Sequence, residues 1–333
     1  MCVSGKVFII AEAGVNHNGS IDTALRLVDA AAEAGANAVK FQTFTADRLV
    51  SRNAQKANYQ KVTTGADETQ YEMLKKLELS DGDHRMLMAH CIERGVQFLS
   101  SAFDVDGVRY LDSLGLPMVK VPSGEITNLP YLRAVAECRK PILMSTGMST
   151  LYEVGAAIDV MGKGADITLL QCTTEYPCPF QNANLKAMVT MGERFGRPVG
   201  YSDHTVGIEV SVAAVAMGAT VIEKHFTLDR RMAGPDHSAS IEPDELRQLV
   251  SSIRNVELAM GDGRKAPAAE ELNNSAAARK SIVARVSIRK GELLTEDNLA
   301  VKRPGTGISP MRWDEVVGMI AARDYGPDDQ IQM

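Results

Sequence analysis

Eight short apolar runs, each followed by a longer Ala- and Leu-rich stretch, constrain this chain more than any other feature. The runs fall at 7–13, 38–43, 97–103, 118–123, 141–146, 167–172, 198–202 and 220–226. Short β-branched apolar runs predict strands, and apolar residues recurring at helical spacing predict helices. In the stretch 22–34, for example, Ala24, Leu25, Val28, Ala31 and Ala32 share one side. Glycine closes such stretches in Ala34-Gly35-Ala36 and Met217-Gly218-Ala219, as a helix C-cap requires. Eight β-α repeats favour a (β/α)8 TIM barrel over an open doubly wound sheet. The open-sheet rival would carry GxGxxG in its first turn. This chain has Glu12-Ala13-Gly14-Val15-Asn16-His17-Asn18-Gly19 instead. The Asn16–Gly19 turn carries little by itself, because Asn-Gly turns are common.

The expected catalytic barrel spans 1–262, with a long insertion at about 44–80 after the second strand. A loop of that length is usually functional or has its own structure. Residues 263–279, rich in Gly, Ala, Pro, Glu and Asn, read as a linker that is partly helical. Residues 280–333 read as a small β module, with strands at Ser281–Ala284 and Leu299–Lys302 and a Lys290-Gly291 turn. So small a module is marginal alone and is expected to pack on something.

Composition removes several function classes. With 333 residues and 45% hydrophobic content the chain can bury a large core. Its net charge is -6 and it has no Lys/Arg stripe, which argues against nucleic acid. No segment approaches the roughly 20 apolar residues of a membrane span. The five cysteines, Cys2, Cys91, Cys138, Cys172 and Cys178, form no CxxC pair. Neither a disulfide framework nor a cysteine zinc site is favoured. Reduced thiols, and an N-terminus without a signal-peptide pattern, lead us to expect the cytoplasm.

Barrel active sites lie at the C-terminal ends of the strands. Here those ends turn polar: Glu12, Lys40 and Gln42, Ser101, Lys120 with Ser123 and Glu125, Ser145 and Thr146, Thr174 and Tyr176, Asp203 and His204, Glu223 and His225. His204 and His225 end neighbouring strands, about 4.8 Å apart in a sheet, so they can share one ion. Neutral imidazole suits Mn, Fe, Co or Zn. Two satisfied histidines at a polar rim would look the same in sequence. Asp236 and His237 follow on the next loop as supporting or substrate groups. His84 and His90, in a polar helical stretch, are expected at the surface. Lys40 and Lys120 sit in apolar strands, where an unpartnered charge is costly. An anionic substrate held with Ser101, Ser123 and Ser145 would provide the partner. An internal pair, for instance Lys40 with Glu12, would do the same.

The motifs together resemble the sialic acid (N-acetylneuraminate) synthase family. They are Ile-Ile-Ala-Glu-Ala-Gly-Val-Asn-His-Asn-Gly from Ile9, Val-Lys-Phe-Gln-Thr-Phe from Val39, Lys-Val-Pro-Ser-Gly-Glu from Lys120 and Ser-Thr-Gly-Met from Ser145. Tyr-Ser-Asp-His from Tyr201, Glu-Lys-His-Phe-Thr-Leu-Asp from Glu223 and Gly-Pro-Asp-His-Ser-Ala-Ser from Gly234 continue the match. The run Lys302-Arg303-Pro304-Gly305-Thr306-Gly307-Ile308 is similar to the antifreeze-like (SAF) domain of these enzymes. Two departures are Ser100-Ser101-Ala102-Phe103, where relatives often read Ser-Thr-Pro-Phe, and Thr173, where many have Asn.

The resemblance implies a transferase that condenses phosphoenolpyruvate with N-acetylmannosamine and water, giving a nonulosonic acid and phosphate. Legionaminate synthase, acting on 2,4-diacetamido-2,4,6-trideoxymannose, and pseudaminate synthase share the motifs as alternatives. It implies a divalent metal, Mn2+ ahead of Mg2+ or Co2+, on His204 and His225. It implies phosphoenolpyruvate on Lys40, Ser101, Lys120, Ser123, Ser145 and Thr174, and the sugar facing Gln42, Tyr176, Asp236 and Arg303. Glu12 would handle a proton and Glu125 would steer water. It also implies a domain-swapped homodimer, in which one subunit's small domain caps the other's barrel and supplies Arg303. From the residues themselves, a TIM-barrel metallohydrolase and a non-catalytic sugar-binding protein remain the readings of other classes.

Overall fold

The computed structural model describes residues 5–57, 60, 61, 64 and 67–333. Its contacts divide the chain into two units, Met1–Gly261 and Asp262–Met333.

The first unit is a closed barrel of eight parallel strands in sequential order. They are β1 (Phe8–Gly14), β2 (Ala38–Thr43), β3 (Gln97–Ala102), β4 (Val119–Val121), β5 (Ile142–Ser145), β6 (Ile167–Gln171), β7 (Val199–Asp203) and β8 (Val221–His225). All eight expected strands are present, and β8 closes onto β1. The period of two along a strand then builds the interior. Ile10, Ala38, Leu99, Met118, Leu143, Leu170 and Val221 form one buried apolar plug. Two residues further along the same strands stand Glu12, Lys40, Ser101, Lys120, Ser145 and Glu223, all buried. Alternate residues such as Ile9, Val39, Phe41, Phe98, Leu169 and Ile222 face outward into the larger core shared with the helices.

Local chemistry sets the helix ends. Thr150 and Glu153 form a reciprocal capping box at the start of Leu151–Met161, and Ser80 and Asp83 form another at Asp81–Arg94. Gly35 and Gly218 take the left-handed backbone expected of them, with φ of 85° and 100°.

The Asn16–Gly19 turn does more than its sequence suggests. Asn16 Nδ2 donates to Phe226 O and to Ser240 Oγ, both at 2.9 Å. Asn18 Nδ2 donates to Ala233 O at 2.8 Å. The turn therefore ties the end of β1 to the loop after β8. Within this junction His17 Nδ1 accepts from Gly19 N–H at 3.0 Å, and His237 lies between Thr227 Oγ1 (2.6 Å) and Asn18 Oδ1 (3.2 Å). Burial holds both imidazoles neutral, with pKa values pushed down to about 4. Their folded pKa lies below the ordinary 6.5, so their stabilising contribution is present above about pH 6.5. It is lost as pH falls towards 4. Asp236 and Glu12, raised by burial to about 6 and about 7, act in the opposite sense. The histidine effect is therefore read as a difference. Denaturation of the native chain and of His17→Asn, which keeps an acceptor for Gly19 N–H, should show a stability gap closing by roughly 3 kcal/mol between pH 6.5 and 4. A pH-independent gap would mean that His17 is not held neutral.

His84 is buried, contrary to the surface position expected for it. Its Nδ1 donates to Ser80 O at 2.9 Å, and its Nε2 accepts from Thr43 Oγ1 at 2.7 Å. Both nitrogens are satisfied, so a polar residue sits inside without penalty. His90 is half-buried and lies 2.7 Å from Asp29.

Among the described residues of the 44–80 insertion, short helices form at Ala46–Leu49 and Gln70–Lys75. The second unit contains a helix, Ala269–Ala278, followed by the antiparallel pair β9 (Ser281–Ala284) and β10 (Leu299–Lys302). Its core comprises Ile282, Ala284, Ile288, Leu294, Leu299, Val316, Ala321, Tyr325 and Ile331. Among the described residues no helix is long and apolar enough to cross a membrane.

Candidate active site

The strand ends open into a cavity of about 400 Å3. Of the residues singled out in the sequence, Glu12, Lys40, Gln42, Ser101, Lys120, Ser123, Ser145, Thr174, Tyr176, His204, His225 and Asp236 all line it. Glu125 does not; its carboxylate accepts from Asn128 Nδ2 at 2.6 Å. Arg303 belongs to the second unit, where it is exposed and its Nε donates to Ala278 O at 2.9 Å.

The floor is a buried charge network. Lys40 Nζ lies 2.7 Å from Glu12 Oε2 and 3.7 Å from Glu223 Oε2, and donates to Ser101 Oγ at 3.0 Å. Lys120 Nζ donates to Ser145 Oγ at 2.7 Å and lies 3.5 Å from Glu223 Oε1. Neither lysine is without an internal partner, so the Lys40–Glu12 pair envisaged as an alternative is present. Contrary to the expectation of lysines whose partner is the substrate, both already have carboxylate neighbours inside the barrel. What favours an anion is the balance of the network. Burial raises Glu12 to about 7 against the pull of Lys40. Burial would also raise Glu223, but Lys120 and Lys40 outweigh it and hold that carboxylate down at about 2. Two ammonium groups thus face one firmly ionised carboxylate and one that readily takes a proton.

Glu223, which the sequence offered only as one of the polar strand ends without a role, is the hub of this network. It joins both lysines and accepts from Ser202 Oγ at 2.9 Å. The signal was available, because Glu223 and His225 are two apart on β8 and share a face.

Register explains why these groups meet. Glu12 is level with Lys40 on β2 and with His225 on β8, Ser101 with Lys120, and Ser202 with Glu223. The β1–β2 register shifts between Glu12 and Gly14, where Gly14 has φ +54°. A Cβ there would lie 3.3 Å from Glu12 Oε1, so glycine leaves the carboxylate its place.

A second cradle lies at the ends of β4, β5 and β6. Ser123 Oγ accepts from Gly147 N–H at 3.0 Å and lies 3.2 Å from Cys172 Sγ. A Cβ on Gly147 would come within 2.4 Å of Thr174 Oγ1 and 3.0 Å of both Ser123 Oγ and Cys172 Sγ. Gly147 and Cys172 are therefore site components that the sequence did not single out. Only the close approach of three strands reveals them.

The histidine pair sits beside this floor. The His204 and His225 ring centroids are 5.4 Å apart, and Tyr176 lies 4.3 Å from His204 and 5.4 Å from His225. His204 Nδ1 donates to Thr173 O at 2.6 Å, which leaves Nε2 as its lone-pair nitrogen. Thr173, whose role the sequence left open, positions this imidazole through its backbone carbonyl. His225 Nδ1 is buried without a hydrogen-bond partner. Burial keeps both rings neutral. An orphaned buried nitrogen beside an oriented imidazole fits a divalent ion with two protein ligands. Among the described residues no group of three or more His, Cys, Asp or Glu is arranged to hold a metal.

Behind the histidines, Asp203 and Lys224 form a fully buried ion pair at 3.0 Å on the outer side of β7 and β8. Asp203 also accepts from Thr205 N, Thr205 Oγ1 and Ser211 Oγ. Each member of the pair is adjacent in sequence to one histidine. Lys224 was another residue that sequence reasoning passed over.

Known proteins place this geometry. The chain is 51% identical to N,N'-diacetyllegionaminic acid synthase of Campylobacter jejuni subsp. jejuni, over 98% of this chain and 99% of that one. It is 50% identical to the protein of the same name from Legionella pneumophila, over 93% and 89%. Among solved structures it is similar to an N-acetylneuraminic acid (sialic acid) synthetase from Leptospira borgpetersenii serovar Hardjo-bovis in complex with citrate. That match has a TM-score of 0.72 and 34% identity, and covers 81% of this chain and 90% of the other. Residues 279–333 match the SAF domain model and residues 27–265 the NeuB family model, so the chain belongs to the NeuB family and carries a SAF domain at its C-terminal end.

Proposed function

We propose that this chain condenses phosphoenolpyruvate with 2,4-diacetamido-2,4,6-trideoxymannose to give N,N'-diacetyllegionaminic acid and phosphate. The observation that carries the acceptor is the near-full-length identity of about half to two N,N'-diacetyllegionaminic acid synthases. N-acetylmannosamine, the first acceptor implied by the motifs, gives way to the trideoxy sugar on that ground.

The site supports the chemistry. Lys40, Lys120, Ser101, Ser145, Ser123 and Thr174 surround the floor with two cations and four hydroxyls, the donor set for a phosphate and a carboxylate. His204 and His225 would hold a divalent ion, which when bound polarises the acceptor's aldehyde. The π pair of the phosphoenolpyruvate C2=C3 bond forms a bond from C3 to the aldehyde carbon. The aldehyde oxygen takes a proton, and Glu12, paired with Lys40, is the group placed to give it. Positive charge develops at C2 and a water adds there, releasing a proton. The C2–O bond to phosphate then breaks, phosphate leaves with the electron pair, and loss of the hydroxyl proton gives the ketone. Glu125, one residue beyond the cavity lining, is proposed to direct that water. Gln42, Tyr176 and Asp236 are proposed to face the sugar. A homodimer with swapped SAF domains, bringing Arg303 to the acceptor, remains part of this reading.

The experiment is phosphate release from phosphoenolpyruvate with Mn2+, run in parallel with the trideoxy sugar and with N-acetylmannosamine. Release that depends on the trideoxy sugar and stops with EDTA is expected. Release dependent on N-acetylmannosamine alone would reverse the acceptor. No release with either, from folded protein, would sink the synthase reading.

A further inference from the structure

We infer that the segment after β2, through Leu49, Val50, Met73, Leu74 and Leu77, is an acceptor-discriminating wall. It favours sugars with a methyl group at C6 over those with a hydroxymethyl group. This rests on the synthase reading above and names which residues would choose the acceptor.

The cavity has two chemically different faces. Its floor, at the strand ends, is the lysine, glutamate and hydroxyl network. Its wall from the 44–80 segment is largely apolar at these five residues. Bond formation must occur near the floor, where the anion-binding groups and the histidine pair stand. The aldehyde end of an open-chain sugar therefore points down. Its far carbons extend beyond the strand ends, where this segment lies.

The wall is built rather than incidental. Met73, Leu74 and Leu77 are buried with Val15, Phe44 and Ala46 in a cluster of their own, and Leu49 and Val50 pack against it. The helix Gln70–Lys75 starts with a capping box between Thr69 and Glu72. It is braced by Tyr71 Oη donating to Asp47 at 2.8 Å and by Lys75 bonding Glu78 at 3.0 Å. From the same segment Gln60 and Gln70 also line the cavity, whereas Tyr71 is committed to Asp47 and does not. A hydroxyl pressed against an apolar wall loses its water without gaining a partner, whereas a methyl group gains burial. An apolar pocket rejects an added hydroxyl by on the order of 10²-fold at most, so the expected preference is large but bounded.

The test uses the full chain loaded with Mn2+ and two acceptors that differ only at C6, N-acetylmannosamine and its 6-deoxy analogue. Phosphate release from phosphoenolpyruvate should give a kcat/KM about 10- to 100-fold higher for the 6-deoxy sugar. Met73→Gln and Val50→Thr, which add polar atoms at similar volume, should each shrink that ratio several-fold, while Met73→Leu should keep it. Equal kcat/KM for the two sugars on the unmodified chain would overturn the wall while leaving the synthase reading standing. A ratio unmoved by both polar variants would overturn the assignment to these residues. Absence of turnover with either of these sugars and with the trideoxy sugar would remove both readings. Should a polar variant fail to fold, the sugar pair on the unmodified chain still decides.

Discussion

Lys120→Ala is expected to raise the phosphoenolpyruvate KM by about 10²-fold, with a smaller change in kcat. Lys120 is buried, bonded to Ser145 Oγ at 2.7 Å and 3.5 Å from Glu223. A charged hydrogen bond to an anion contributes roughly 1.5–3 kcal/mol, and each 1.4 kcal/mol is tenfold in affinity. The charge of the transferred phosphate changes little up to bond breaking. An ammonium group that positions it is therefore felt mainly in binding. Removing Lys120 also leaves Glu223 with Lys40 as its remaining ammonium partner in the network. The floor then becomes more negative just where an anion must enter. Initial-rate measurements at saturating acceptor would read this directly, and an unchanged phosphoenolpyruvate KM would exclude Lys120 from the anion site. Lys120→Met, which keeps most of the volume, should show the same KM change if charge rather than packing is responsible.

The largest loss of stability is expected from Asp203→Ala. Asp203 and Lys224 are fully buried, 3.0 Å apart, and Asp203 accepts three further hydrogen bonds from Thr205 and Ser211. Breaking one side of a buried pair costs about 3–5 kcal/mol, because the other charge stays inside unpaired. For a unit of this size that corresponds to a fall in Tm of roughly 6–20 °C. Replacing both residues by apolar ones of similar volume, as in Asp203→Leu with Lys224→Met, should recover much of the loss. Thermal denaturation of Asp203→Leu, of Lys224→Met and of the double closes the cycle. A single variant within 1 °C of the native chain would show that the pair is open to water. Because Asp203 and Lys224 adjoin His204 and His225, both singles should also weaken metal binding. Titration calorimetry can follow that independently of turnover.

The barrel was legible because its signal is periodic and repeated. Six strands carried an apolar residue, then a polar one two positions later: Ile10 and Glu12, Ala38 and Lys40, Leu99 and Ser101, Met118 and Lys120, Leu143 and Ser145, Val221 and Glu223. Repeated around a closed barrel, these steps stack as an apolar plug below a polar layer. Most of the candidate site was legible for the same reason. Glu125 stands just outside the cavity lining. A turn residue has no fixed period, and Asn128, three residues on, draws its carboxylate. His84 was misjudged because the helix carrying it is polar overall, and the two partners that satisfy its ring come from Ser80 and from Thr43 on β2.

What the sequence by itself determined was the alternation that makes a barrel, the face on which each strand residue lies, and the set of ionisable groups at the strand ends. The first two follow from chain geometry that is local, a period of two along strands and one of about 3.6 along helices, and the third from which residues stand at those positions. Only the tertiary structure decided which of those groups meet. Lys40 and Lys120 share Glu223 because closing the barrel brings β8 back beside β1 and carries Glu223 across to both lysines. Gly147 is hemmed in by side chains from the ends of β4 and β6, and the 44–80 segment folds its leucines over the cavity rather than into solvent. These are contacts between residues far apart in the chain. No local pattern encodes them, because their partners are chosen by packing and by the need of each buried charge for an opposite one.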